Sequence, residues 1–340
     1  MSAGQRVGAG IIGLGVGERH IAGFESHPDC RVAALCDRDP AKRELARARY
    51  PDARIYAEAE ALIDDRDVDI VSIASHDDAH YAQLCRTLDA GKHAFVEKPL
   101  CTRDEELADI RARLARRPDL KISSNLILRK APRFADLKAR VARGALGRIY
   151  YLEGDYDYGR LEKLDGTWRG TAPGYSVVLG GAVHLIDLLL WLMAGRKPVE
   201  AMAMGNRISS AEANLRFASN DLVAALVRFD DGAIAKIGAN FGCVRPHFHR
   251  LSVYGTLGTF ENGPEEGRYW TQRDPGVPPE RAVLPYPGAA KGDLIPGFVD
   301  AVLGRTAGDI GVPEILTGMA VCLAIERACR DGRAIAIRHD

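Results

Sequence analysis

A chain of 340 residues with 46 basic and 46 acidic side chains is formally neutral at pH 7, so it lacks the electrostatic footprint of a nucleic-acid binder and the like-charge blocks of a disordered tail. That length exceeds what one hydrophobic core usually organises, and two domains are expected. The longest apolar run, Leu188 to Ala194, is too short for a bilayer, no signal-peptide pattern opens the sequence, and the seven cysteines include no C-x-x-C pair; a cytoplasmic protein with reduced thiols, no membrane attachment and no metal is expected.

In chain order, Val7 to Ile12 is an uncharged apolar run of the kind a strand buried on both faces shows. It ends in Gly13, Gly15, Val16 and Gly17, ahead of a helix from Glu18 to Glu25. Strand, glycine turn and helix form a phosphate cradle, because glycine admits positive φ and lets the backbone approach a pyrophosphate at the helix N-terminus. A second apolar run, Val32 to Cys36, ends in Asp37 about twenty residues later, where a dinucleotide fold places a carboxylate on the adenosine ribose. Asp37 favours NAD, and Arg38 beside it leaves room for NADP. Helix Pro40–Tyr50 follows, capped by Asp39. Strands at Arg54–Tyr56, Ile70–Ala74, His93–Val96 and Lys121–Ser124 alternate with helices at Ala57–Asp64, Ala79–Ala90 and Asp104–Arg116. That alternation predicts a doubly wound sheet with its ligand at the carboxyl ends of the strands. Ser75, His76 and His80 lie just past one such end, His80 being either a cofactor-side residue or a structural one. Lys98 follows another, on backbone restricted by Pro99, and suits a fixed charge in a crevice.

From Gly147 the pattern changes. Strand-like runs at Arg148–Tyr158, Ala201–Arg207, Leu222–Phe229, Ala233–Phe241, Arg250–Gly255 and Thr259–Asn262, joined by turns such as Asp230-Asp231-Gly232, predict a mostly antiparallel sheet. Between them, Tyr156 to Tyr175 mixes aromatics with arginines. Trp168 and Arg169 there suit a sugar or a charged group on it, or else a contact between subunits. In the helix that follows, Leu185, Leu188, Leu189 and Leu192 mark the buried face, and His184 and Asp187 lie three apart on one side. That pair is either structural or a general acid/base held by a carboxylate. Pro264 to Lys291 is expected to be a surface loop with little regular structure. Asp293–Leu303 and Pro313–Arg330 read as closing helices, and Ala334–Ile337 as a last strand.

The combination GIIGLGVGERH, ALCDRDP, SIASHDDAHY, AGKHAFVEKPL, NLILR and GALGRIYYLEG resembles the glucose-fructose oxidoreductase and inositol dehydrogenase family, often called Gfo/Idh/MocA, from about Val7 to the C-terminus. The E-K-P element after A-G-K-H is its most specific motif. The resemblance implies an N-terminal doubly wound Rossmann domain over 1–125 and a C-terminal α+β domain with a large, mostly antiparallel sheet over 126–340, assembled as a homodimer or homotetramer. It places Gly13, Gly15, Asp37, Glu97 and Lys98 on the cofactor side, with Lys98 also facing substrate. It gives Asn125 the nicotinamide amide and Arg129 a place at the domain junction, with a salt bridge as the alternative for Arg129. It makes His184 the acid/base, with Asp187 beside it. Two places depart from the family: the third glycine falls at Gly17, and Ser75-His76-Asp77 replaces a frequent T-P-N. Further on, the pattern D-x-G-x-H-x-x-D has Gly180 where its first aspartate belongs and Ala182 where it has glycine. Chemistry then falls to Lys98 and His184, alone or with a carboxylate such as Asp155 or Asp157.

The whole implies an NAD(P)-dependent oxidoreductase moving a hydride between a secondary hydroxyl of a sugar, cyclitol or nucleotide sugar and nicotinamide. The alternatives are a transient-redox epimerase or lyase on the same fold, or a non-catalytic nucleotide sensor.

Overall fold

The computed structural model describes residues 6–172 and 175–339; residues 1–5 and 340, at the ends of the expected domains, and 173–174, in the loop before Tyr175, lie outside the described residues. The chain forms two compact units, one holding the described residues through Ile127 together with Ala290–Leu316, the other holding Leu128–Ala289 and the described residues from Thr317 onward.

The first unit is built on six strands, β1 Val7–Ile12, β2 Cys30–Cys36, β3 Arg54–Tyr56, β4 Ile70–Ile73, β5 His93–Val96 and β6 Ile122–Ser124. They pair in parallel in the order β3-β2-β1-β4-β5-β6. Strand order reverses between β1 and β4, where a doubly wound sheet opens its crevice. β1 and β4 are buried along their whole length, as their uncharged sequences require when helices cover both faces. The capping signal at Asp39 is realised: its side chain accepts from the Ala41 N–H at 2.9 Å, with Pro40 opening helix Pro40–Arg49. The helix after β4 starts at Asp77 rather than Ala79, with His76 at its N-cap. Asp77 and Asp78 favour that earlier start because their charges oppose the positive helix end.

Helix Ile295–Val302 belongs to this first unit, although a linear division at 125/126 assigns it to the second domain. The reason is packing. Phe298 meets Phe95 of β5 at 5.6 Å between ring centres, and Gly23 lets the Gly292 backbone approach so closely that a Cβ would stand 2.6 Å from the Gly292 carbonyl oxygen.

The second unit carries nine strands, β7 Ile149–Asp157, β8 Pro198–Asn206, β9 Leu222–Phe229, β10 Ile234–Asn240, β11 Phe248–Gly255, β12 Thr259–Asn262, β13 Gly267–Trp270, β14 Glu280–Ala282 and β15 Ile335–Ala336. Their order is β14-β13-β12-β11-β7-β10-β9-β8-β15. β7 and β10 pair in parallel and the other neighbours are antiparallel. Helix Val183–Leu192 covers one face, and Gly154 of β7 makes room for it: a Cβ there would stand 2.7 Å from Leu185. The opposite face leaves Met202, Met204 and Leu226 exposed.

The stretch Pro264–Lys291 is not the structureless loop its prolines suggest, since β13 and β14 extend the sheet there. Tyr269 packs on Phe260 at 4.8 Å and donates to Asp136 at 2.9 Å. The buried Arg133 guanidinium donates to Asn262 Oδ1 (2.8 Å) and to the carbonyls of Gly263 (2.6 Å), Glu265 (3.0 Å) and Leu284 (3.1 Å). The prolines flank these short strands, and one buried cation satisfies the backbone between them.

Gly13 has φ +90°, and a Cβ on it would stand 2.7 Å from the Ala74 carbonyl carbon. Gly13→Ala is therefore expected to lower the urea unfolding free energy by about 2 kcal/mol. A loss under ~0.5 kcal/mol would mean that the turn tolerates a side chain.

Candidate active site

In the first unit the three glycines divide three tasks. Gly13 makes the turn, and Gly17 packs, since its Cβ would meet Ile11 Cγ2 at 2.8 Å. Gly15 is exposed, its nearest neighbour being Lys42 Nζ at 3.8 Å from where a Cβ would stand. The narrow spacing thus still provides turn, open approach and close helix–strand packing. No side chain caps helix Gly17–Glu25, whose N-cap is Val16; the Arg19 N–H donates to the Val16 carbonyl at 2.9 Å, and the N–H groups ahead of it suit an anion. Asp37 accepts from the Leu14 N–H at 2.8 Å and the Asp39 N–H at 2.9 Å, and pairs with Lys42 at 3.4 Å. Partial burial opposes its charge, but those bonds and Lys42 prevail and hold the carboxyl below its ordinary range. Arg38 is exposed beside it.

At the carboxyl ends of β4, β5 and β6 lies a buried polar node. Glu97 Oε1 receives Asn125 Nδ2 at 2.8 Å and His20 Nε2 at 3.2 Å, and His20 Nδ1 meets Ser72 Oγ at 2.9 Å. Burial works against the Glu97 charge, yet the His20 hydrogen bond and charge, with Lys291 and Lys98 behind them, hold its carboxyl far below the usual range. Glu97 thus supports His20 and Asn125. With Asn125 Nδ2 facing the carboxylate, its Oδ1 is buried and accepts no hydrogen bond from the described residues, which leaves an acceptor for a ligand N–H. Lys98 follows Glu97 directly and is half-buried, its peptide bond to Pro99 being cis.

One expectation on this side changes. His80 is fully buried, with Nδ1 2.7 Å from the Pro99 carbonyl and Nε2 3.1 Å from that of Ser75. It braces those two loops from beneath instead of facing a cofactor. Ser75 donates to Gln83 at 2.7 Å, while His76 is exposed. Sequence reasoning passed over His20 and Ser72. The signal was a histidine one turn into the helix after the glycine turn, a polar residue on an otherwise apolar flank.

In the second unit, His184 stands near the start of helix Val183–Leu192, directly after a π-helical turn over Val178–Ala182. Its ring lies parallel to that of Tyr156 at 6.2 Å. Asp187 forms a bidentate pair with Arg129, Nε to Oδ2 at 2.9 Å and Nη2 to Oδ1 at 2.6 Å, both side chains buried. Of the alternatives for Arg129, the salt bridge is realised, to Asp187. Asp155 and Asp157 do not stand in for the carboxylate missing at Gly180. Side chains alternate along a strand, so with Tyr156 toward His184 they point to the opposite face, where Asp155 pairs with Lys236 and Arg250 and Asp157 with Arg245 at 2.9 Å. Trp168 carries the Arg169 guanidinium over its ring at 4.6 Å and meets Tyr175 edge-on at 5.7 Å.

Beside Tyr156 stand two histidines that sequence reasoning missed, because an H-F-H run at a strand start carries no distinctive spacing. His247 and His249 lie 5.0 and 5.2 Å from the Tyr156 ring, and His249 Nδ1 meets the Tyr286 hydroxyl at 2.6 Å. Burial, aided by Arg160, pushes His247 down to about 4, and burial, aided by His247, pushes His249 down to about 3. Among the described residues no group of three or more His, Cys, Asp or Glu is arranged to hold a metal, and no helix is long and apolar enough to cross a membrane.

The doubly wound sheet and glycine cradle are the architecture of a dinucleotide-binding unit. Residues 7–125 match the family model described as oxidoreductase family, NAD-binding Rossmann fold, and residues 134–261 match the GFO/IDH/MocA C-terminal domain. The chain belongs to the Gfo/Idh/MocA family, and its first unit is an NAD-binding Rossmann fold. It is similar to inositol 2-dehydrogenase 2 of Saccharopolyspora erythraea, 29% identical over 196 residues, 57% of this chain and 56% of that protein. Among solved structures it is similar to scyllo-inositol dehydrogenase from Lactobacillus casei with bound NAD(H) and scyllo-inositol, at a TM-score of 0.80 and 20% identity over 98% of this chain and 99% of that one. It is similar also to levoglucosan dehydrogenase in complex with NADH and levoglucosan, at a TM-score of 0.85 and 19% identity over 99% of this chain and 100% of that one. At those identities the likeness to solved structures is one of fold. The chain spans about half the length of the first curated relatives it matches.

His247 and His249 are held neutral in the fold and titrate near 6.5 when free. Unfolded chains therefore bind more protons below that value, so this contribution to stability is complete above pH 6.5 and is lost as pH falls toward 4 and then 3. Melting temperature should drop over that range, and His249→Phe should flatten the drop. An identical pH dependence in wild type and variant would show that His249 is not held neutral.

Proposed function

We propose that the chain is an NAD-dependent dehydrogenase that oxidises a secondary hydroxyl of a cyclic polyol or sugar to the ketone. The observation that carries this is the node at Glu97, the residue before Lys98, which holds the Asn125 amide so that its buried oxygen has no donor among the described residues. That oxygen fits a carboxamide N–H, the open backbone at Gly15 fits a pyrophosphate, and the Asp37 carboxylate fits ribose hydroxyls and disfavours a 2′-phosphate. Nicotinamide, when bound, supplies the hydride acceptor. We assign the remaining work to two side chains. The Lys98 ammonium donates to the alcohol oxygen and stabilises the negative charge that develops there as His184 takes the hydroxyl proton and the hydride leaves the carbon. The substrate class rests on the family and on its inositol and levoglucosan dehydrogenases. We place the contact between copies of the chain on the open sheet face that bears Met202, Met204 and Leu226.

The test follows absorbance of reduced nicotinamide with myo-inositol, scyllo-inositol, levoglucosan, uronates and nucleotide sugars. Lys98→Ala and His184→Ala are expected to lower kcat by about 10²-fold or more while NAD⁺ affinity stays within about threefold. Near-normal turnover in either variant removes that residue from the mechanism. Bound dinucleotide with no net signal from any compound overturns the dehydrogenase reading in favour of transient redox or sensing.

A further inference from the structure

Gly180 is four residues before His184 on continuous helical backbone, so a side chain at 180 would lie on the His184 flank. The resemblance puts a carboxylate there, and this chain has none. The space is nevertheless filled. A Cβ built on Gly180 would stand 2.6 Å from the Tyr175 ring carbon that bears the phenol oxygen, and closer still to the oxygen itself. Tyr175 is only 6% exposed, and the backbone it hangs from is pinned. Ser176 Oγ accepts from the N–H groups of Val178 (3.0 Å) and Leu179 (3.1 Å) and donates to Glu326, while the Ser176 carbonyl accepts from Gly180 N–H at 2.8 Å. Trp168 and Phe217 hold the ring edge-on at 5.7 and 6.3 Å. Next to Gly180, Gly181 lets Tyr156, the ring stacked on His184, approach to 2.7 Å from where a Cβ would stand. The glycine pair thus seats one tyrosine at each of two adjoining positions.

We propose that the Tyr175 hydroxyl is a substrate-binding group that takes over, from a residue five positions upstream, the polar role a side chain at Gly180 would have had. This rests on the dehydrogenase reading for the identity of the substrate. A phenol differs from a carboxylate in being neutral near pH 7 and in both donating and accepting. Tyr175 therefore bonds a substrate hydroxyl beside the reacting one without adding negative charge near His184.

The experiment compares wild type with Tyr175→Phe, Tyr175→Ala and the double variant Tyr175→Ala/Gly180→Asp, on whichever of myo-inositol, scyllo-inositol or levoglucosan wild type oxidises. Tyr175→Phe is expected to lose about tenfold in kcat/KM with NAD⁺ affinity unchanged. In the double variant the vacated space admits the carboxylate, and kcat/KM should rise above that of Tyr175→Ala; a merely structural tyrosine would not be rescued this way. Wild-type turnover with Tyr175→Phe unchanged overturns the assignment and leaves the dehydrogenase reading intact. Where wild type oxidises none of the three, nor any uronate or nucleotide sugar, that reading fails, and tryptophan fluorescence of the NAD⁺-loaded protein decides. Quenching by a polyol in wild type but not in Tyr175→Phe upholds the assignment, and quenching in both or in neither overturns it.

Discussion

A buried carboxylate with two neutral-or-cationic donors on one oxygen is the constraint on which the nucleotide side of this protein rests. Glu97 is 7% exposed, and an unpaired charge so placed would cost several kcal/mol, roughly the whole stability margin of many domains. His20 and Asn125 meet that demand, and in doing so they are themselves fixed. His20 ties the first helix to β4 through Ser72, and Asn125 is turned so that its amide hydrogens face the carboxylate and its buried oxygen points away from it. The same residue run then places Lys98. One electrostatic requirement thereby orders three strand ends, the first helix and the residue assigned to the alcohol oxygen.

The second unit solves a different problem. Its sheet must hold a helix close enough to carry His184, and it does so with glycines at 154, 180 and 181, each of which lets a ring or an aliphatic side chain occupy the place of a Cβ. Arg129 and Asp187 then hold the same helix as a buried ion pair. Such a pair contributes little net stability, but removing one partner typically costs about 3–5 kcal/mol. His184 is left against the Tyr156 ring, in an aromatic wall of Tyr158, Phe241 and His247.

What could be read from the sequence was what depends on neighbours along the chain. Apolar runs, the glycine turn, the Asp39 cap and the carboxylate at Asp37 are local patterns, and each lies where its residues indicate. What could not be read depends on partners far apart in sequence. Arg129 and Asp187 are 58 positions apart, and nothing local distinguishes an arginine that binds substrate from one that binds an aspartate. Asp155 and Asp157 looked like spare carboxylates until strand alternation set them on the other face from Tyr156. The prolines of 264–291 signalled loop because proline cannot donate within a ladder, while the strands they flank are stabilised by Arg133 from another part of the chain. Tyr175 was noted as one aromatic of a long loop; only the fold shows its hydroxyl at the place where Gly180 has no side chain.

The central claim is that the charge on Glu97 sets the Asn125 amide, and titration of NAD⁺ into Glu97→Gln tests it most directly. A glutamine keeps the shape but brings amide hydrogens that can donate to Asn125 Oδ1, turning the amide and withdrawing the acceptor meant for the carboxamide. The account predicts a folded variant whose NAD⁺ dissociation constant rises by about tenfold or more. Unchanged affinity in a folded Glu97→Gln would show that the node does not set the nicotinamide end of the site.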